Sequence, residues 1–85
     1  MQMEAIRSDE YGDLQRLVDS LFPGGRTQVD RLDVVVQAEI FDLGDDLMEI
    51  VELLPAGRYE RQRLCDQFNS ALAAHGWGAI YGTVD

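Results

Sequence analysis

The sequence contains no lysine, a single cysteine and a single histidine. All seven basic residues are therefore arginines, and they face 16 acids for a formal net charge of −9. A field of that sign repels phosphate backbones and anionic lipid and favours basic protein surfaces. The same charge keeps a small domain soluble, so on its own it assigns no function. Cys65 has no second cysteine to pair with, and nothing points to an oxidising compartment. The N-terminal stretch "MQMEAIRSDEYGD" holds no apolar run of signal length, and no segment approaches the length of a membrane span. The expectation is a cytoplasmic protein with no membrane partner.

Catalytic groups are as sparse as cations. His75 and Cys65 are ten residues apart. On one helix that separation is about 15 Å along the axis, too far for a nucleophile and its base. A histidine near a helix C-terminus favours the dipole there, and a cysteine on an apolar face packs as a small hydrophobe. Glycines 76, 78 and 82 do not make a dinucleotide-binding G-x-G-x-x-G, and there is no phosphate-binding loop. "DLGDDLMEI" gathers Asp42, Asp45 and Asp46 around Gly44, yet lacks the alternating ligand order and closing glutamate of a calcium loop. No enzyme, metal or cofactor is expected.

Helical patterning is what the chain does have. Eighty-five residues with 46% apolar content read as one folded domain, 1–85, rather than an acidic disordered tail. From Ser8 to Phe22, Tyr11, Leu14, Leu17, Val18, Leu21 and Phe22 share one side of a helix. Ser8 is the candidate cap, and "PGG" at 23–25 is the stop. In "DDLMEIVELL", Leu47, Ile50, Val51 and Leu54 share a face opposite Asp45, Glu49 and Glu52. A longer helix follows from about Tyr59 to His75, burying Leu64, Cys65, Phe68, Ala71 and Leu72, with Gly76 ending it. "WGAIYGTV" reads as a short extended segment.

The segment "TQVDRLDVVVQAEIFDL" supports two assignments. Its alternation and three consecutive valines suit a strand. Thr27 with Asp30 resembles a capping box, Gly44 is a plausible stop, and Val29, Leu32, Val36, Ile40 and Leu43 fit helical spacing. Its length of roughly 15 residues favours helix, because strands usually run 4–8. The expected fold is mainly α, about four helices with a short C-terminal extended segment. The alternative is α+β, with strands near 32–41 and 77–84.

Two charge clusters offer candidate sites. "GRYERQRLCDQFNS" holds three arginines within six residues, Arg58, Arg61 and Arg63. With Gln67, and with Gln62, Asn69 and Ser70 beside them, these are types that read base edges or phosphates in a helix-turn-helix regulator using residues 57–70. Arg61 projects toward the apolar side, however, and Asp66 nearly neutralises the outward face at Arg63, so direct nucleic-acid binding is not expected. From Leu32 to Gly57 there are seven acids and no basic residue. The expected role of the arginines is pairing, either internally, with Arg58 or Arg61 folding back onto Glu49 or Glu52, or with a partner's acids.

The acids themselves form the second cluster. Asp42, Asp45, Asp46, Glu49 and Glu52 set carboxylates about 5–6 Å apart along one helix. Such a ladder suits a non-catalytic protein-binding module for a basic partner. It also suits an inhibitor or nucleic-acid mimic of the kind seen in phage and mobile-element counter-defence. The ordinary alternative is a merely solvated acidic face. Trp77 and Tyr81, one helical turn or two same-face strand positions apart, read as core, while Gly78 and Gly82 would admit a close second backbone. A homodimer is left open.

Overall fold

The computed structural model describes residues 7–85. The reading of the N-terminal stretch as free of a signal falls partly on residues 1–6, outside the described residues. Element order is α1 (Asp13–Leu21), β1 (Val29–Asp30), α2 (Arg31–Ile40), α3 (Asp45–Glu52), β2 (Arg58–Tyr59), α4 (Arg61–His75) and α5 (Gly78–Tyr81). The mainly α reading holds, and no described helix is long and apolar enough to cross a membrane.

α1 begins later than Ser8. The Ser8 hydroxyl accepts the Glu10 N–H at 3.0 Å and closes a turn instead of the helix. Gly12 then precedes the helix in the left-handed region at φ 92°, a conformation in which a side chain would be strained. Leu14, Leu17, Val18 and Leu21 are buried, the face expected from their spacing.

Residues 31–40 are helix, so the strand alternative at 32–41 falls. The capping box sits three residues beyond the expected one: Asp30 is the cap and Asp33 its partner, with the Asp30 N–H donating to Asp33 Oδ2 at 2.9 Å. β1 and β2 form one antiparallel rung pair, Val29 opposite Tyr59 and Asp30 opposite Arg58. α2 and α3 are a hairpin. Its open end is tied by Arg31, whose guanidinium donates to the main-chain oxygens of Leu54 at 2.6 Å and Glu52 at 2.9 Å. A cation there also suits the negative end of the α3 dipole.

α4 ends as expected. Gly76 adopts φ 70°, its N–H bonds Ala73 O at 3.1 Å, and the Trp77 N–H returns to Leu72 O at 2.9 Å. The segment 77–84 needs correction, because Trp77 continues into the single helical turn of α5. Ile80 and Tyr81 both donate to Trp77 O at 3.0 Å, so the Trp77–Tyr81 spacing is a helical turn. Residues 82–85, beyond α5, lie outside helix, and among the described residues they pair with no strand. Two side-chain amides take that role. Asn69 donates to Val84 O at 2.9 Å and accepts its N–H at 2.8 Å, while Gln15 does the same to Asp85 at 3.0 Å in each direction.

One contiguous core runs through all of these elements, with Phe68, Leu14, Leu17, Leu47, Ile50 and Leu64 among its fully buried side chains.

Candidate partner-binding face

The acidic candidates fall on the α2–α3 hairpin. Asp42 occupies the turn between the helices at φ 54°, a left-handed position aspartate tolerates better than most residues. Asp45, Glu49 and Glu52 follow along the outward side of α3, all exposed. Their carboxylates project there because Leu47, Ile50 and Val51 hold the opposite side in the core.

Asp46 departs from this set. It is half-buried, and its Oδ2 accepts the Tyr81 hydroxyl at 2.5 Å. That bond, reinforced by burial, pushes the Tyr81 phenol up to about 12. Asp46 thus fastens α5 to α3. Glu49 is also partly engaged, with the His75 Nε2 3.3 Å from its carboxylate. His75 in turn stacks on Trp77 with ring centroids 4.2 Å apart, and Trp77 meets Tyr81 edge-on at 5.7 Å. Among the described residues, Asp42, Asp45 and Glu52 form no ion pair.

The arginines are committed elsewhere, and not to the expected acids. Arg58 reaches Asp30 across the two-stranded ladder at 3.1 Å. Arg61 turns inward, as its helical position implies. It meets Asp19 of α1, while its guanidinium also donates to the Asp85 main-chain oxygen at 2.9 Å. That contact, with a second hydrogen bond from Gln15, holds the Asp19 carboxyl below its usual range. Arg26 pairs with Asp33 at 2.8 Å and Arg16 with Asp13. Arg58 and Arg61 therefore reach neither Glu49 nor Glu52: the two-residue ladder aims Arg58 at its cross-strand partner, and α4 aims Arg61 at α1.

Arg63 is exposed and, among the described residues, forms no ion pair, leaving one outward guanidinium on α4. Gln67 lines a surface groove of about 260 Å³ between α3 and α4, with Ile50, Leu53, Phe68 and Ala71. Asn69 is occupied by the Val84 backbone, and Gln62 donates to Asp66 at 2.9 Å. α3 and α4 are separated by residues 53–60. That connection is twice or more the 3–4 residues of a helix-turn-helix turn. Cys65 is buried, which raises its thiol pKa. No described group of three or more His, Cys, Asp or Glu is arranged to hold a metal ion.

One feature was not anticipated from the sequence. Leu32, Val36 and Ile40 are 70%, 44% and 69% exposed, while Val34 and Ala38 on the reverse of α2 are buried. α2 is apolar on two faces, and only one meets the core. The helical spacing noted at these positions marks the uncovered face.

Set beside protein families, curated proteins and solved structures, the chain matches none.

Proposed function

We propose that the chain is a non-catalytic protein-binding module that presents the outer face of the α2–α3 hairpin to a basic partner surface. One observation carries the reading: each ion-paired arginine among the described residues engages Asp13, Asp19, Asp30 or Asp33, and none engages Asp42, Asp45, Glu49 or Glu52. Asp42, Asp45 and Glu52 stay unneutralised, with Glu49 beside a histidine alone. Unscreened carboxylates on a rigid rod steer a cationic partner and fix its register more than they add raw affinity.

An inhibitor of a nucleic-acid-binding protein is the narrower form of this reading, since the carboxylates alternate with turns of helix much as phosphates do along a strand. The helix-turn-helix alternative is not favoured, because Arg58 and Arg61 are engaged and the connection before α4 is long. The test is capture from a host lysate with the wild-type chain and with Glu49→Lys/Glu52→Lys. The partner is expected on the first alone, and to be displaced by duplex DNA if the protein is a mimic. Equal capture by a variant that still folds would make the face a solvated surface.

A further inference from the structure

The uncovered face of α2 is the strongest remaining feature. A helix apolar on two sides is normally buried on both. Isolated exposed leucines are ordinary, but Leu32, Val36 and Ile40 stand at successive i, i+4 positions, which are neighbours on a helix surface. They span about 80° of arc and about 12 Å of helix, a ridge two turns long. The centre of that arc, at Val36, points directly away from buried Val34 and Ala38. The stability of the domain does not call for apolar groups there.

The chemistry around the ridge selects its occupant. Glu39 is exposed on the Leu32 side of the ridge, away from Gln37, whose amide bonds Ser20 of α1; Asp45, Glu49 and Glu52 are exposed on the next helix, and Asp42 lies beyond the ridge's C-terminal end. The arginines that reach this hairpin are committed, Arg31 to the Leu54 and Glu52 main-chain oxygens and Arg26 to Asp33, and from Leu32 to Gly57 there is no basic residue. A second copy of this chain would bring −9 against −9, with Arg63 as the one outward guanidinium of α4 to set against four carboxylates. An anionic membrane is repelled for the same reason.

We infer that the Leu32–Val36–Ile40 ridge docks a basic amphipathic helix of a partner protein. The partner's apolar stripe covers the three side chains, and its lysines or arginines reach Glu39 and the α3 carboxylates. This rests on the acidic-face reading only for the sign of the partner's charge. The apolar half of the contact is independent of it. The geometry is a helix pair with anchors at i, i+4 and i+8, close to the spacing by which amphipathic helices are read in grooves.

The test uses three labelled helical peptides and fluorescence anisotropy. One carries leucines on one face with lysines and arginines on the other. The second replaces the leucines by alanine, and the third replaces the basic residues by glutamate. The first is expected to bind the wild-type chain, and the others to bind roughly tenfold or more weakly. Val36→Asp, on a side chain outside the core, is expected to weaken the first peptide by a similar factor while circular dichroism and thermal unfolding stay unchanged. Glu49→Lys/Glu52→Lys probes the acidic face separately. Equal binding of the leucine-free peptide, or indifference to Val36→Asp, overturns the ridge and leaves the acidic face standing. Equal binding of the glutamate peptide overturns the choice of a basic partner. Sedimentation showing a dimer that Val36→Asp dissociates overturns it in favour of a second copy.

Discussion

The Glu10 carboxylate accepts the Gly44 N–H at 3.1 Å, so the start of α3 is capped by a side chain 34 residues earlier in the chain. Gly44 has no side chain with which to cap the helix, and Asp45 and Asp46 occupy its first turn. A Cβ on residue 44 would collide with that same carboxylate. The absence of a side chain at 44 therefore admits the cap, and the cap anchors the N-terminal turns to the hairpin that carries the candidate face.

Gly44→Ala is expected to push Glu10 aside and lose this bond. Losing a helix cap costs about 0.5–2 kcal/mol, and Glu10→Ala should cost a similar amount. Because both changes remove one interaction, the double variant should be little worse than either single one. Urea midpoints of the four proteins check this. Additive losses would mean that the two positions act separately.

Tyr81 supplies a pH dependence with a definite sign. Its folded-state pKa of about 12 lies above the ordinary 10.0, because the Asp46 carboxylate stabilises the protonated phenol. A raised pKa contributes stability that is complete below pH 10 and lost as pH climbs toward 12. One of the three tyrosines should therefore release its proton late in an absorbance titration. Asp46→Asn should move that step back toward 10, and Tyr81→Phe should remove it.

The Asn69 amide holds the Val84 backbone in both directions, where a neighbouring strand would otherwise stand. Val84 is buried, so Asn69→Ala leaves its N–H and C=O without partners, at a cost of about 1–3 kcal/mol. Amide exchange at Val84 should be slow in the wild type and fast in the variant. An unchanged rate would contradict the clamp.

Arg61 and Arg63 should behave differently despite their proximity. The depressed Asp19 pKa contributes stability present above the ordinary value of 3.8 and lost as pH falls through the folded value. Arg61→Ala should return Asp19 toward 3.8 in a carboxyl titration by NMR. Arg63→Ala should leave it in place and leave stability within about 0.5 kcal/mol of wild type, as for most surface changes.

Where a segment has one apolar stripe, its sequence disclosed the helix. α1, α3 and α4 each alternate a buried row with a polar one, and the burial of Leu14, Leu47 and Leu64 follows from spacing alone. α2 resisted because Val34 and Ala38 face the core while Leu32, Val36 and Ile40 face water, so apolar residues occur at both periods at once. The ladder of Val29 with Tyr59 is two residues long and exists only through tertiary pairing, which no local pattern carries. Gly44 looked like a stop because its role depends on Glu10, far away in sequence.

The acidic run on α3 was legible as charge, and so was the inward turn of Arg61. Which acid each arginine would choose was not. Those pairings depend on how β1, β2 and α1 come together around α4. The bond from Tyr81 withdraws Asp46 from the outward set for the same reason.

The central claim is that unneutralised carboxylates on the α2–α3 hairpin recruit a cationic partner. The most direct measurement is the affinity of the captured partner for the wild-type chain and for Glu49→Lys/Glu52→Lys across a range of salt concentrations. The account predicts wild-type binding that weakens steadily as salt rises, with the charge-reversed variant bound far more weakly at low salt and nearly insensitive to salt. Affinities that coincide for the two proteins at every salt concentration would contradict it.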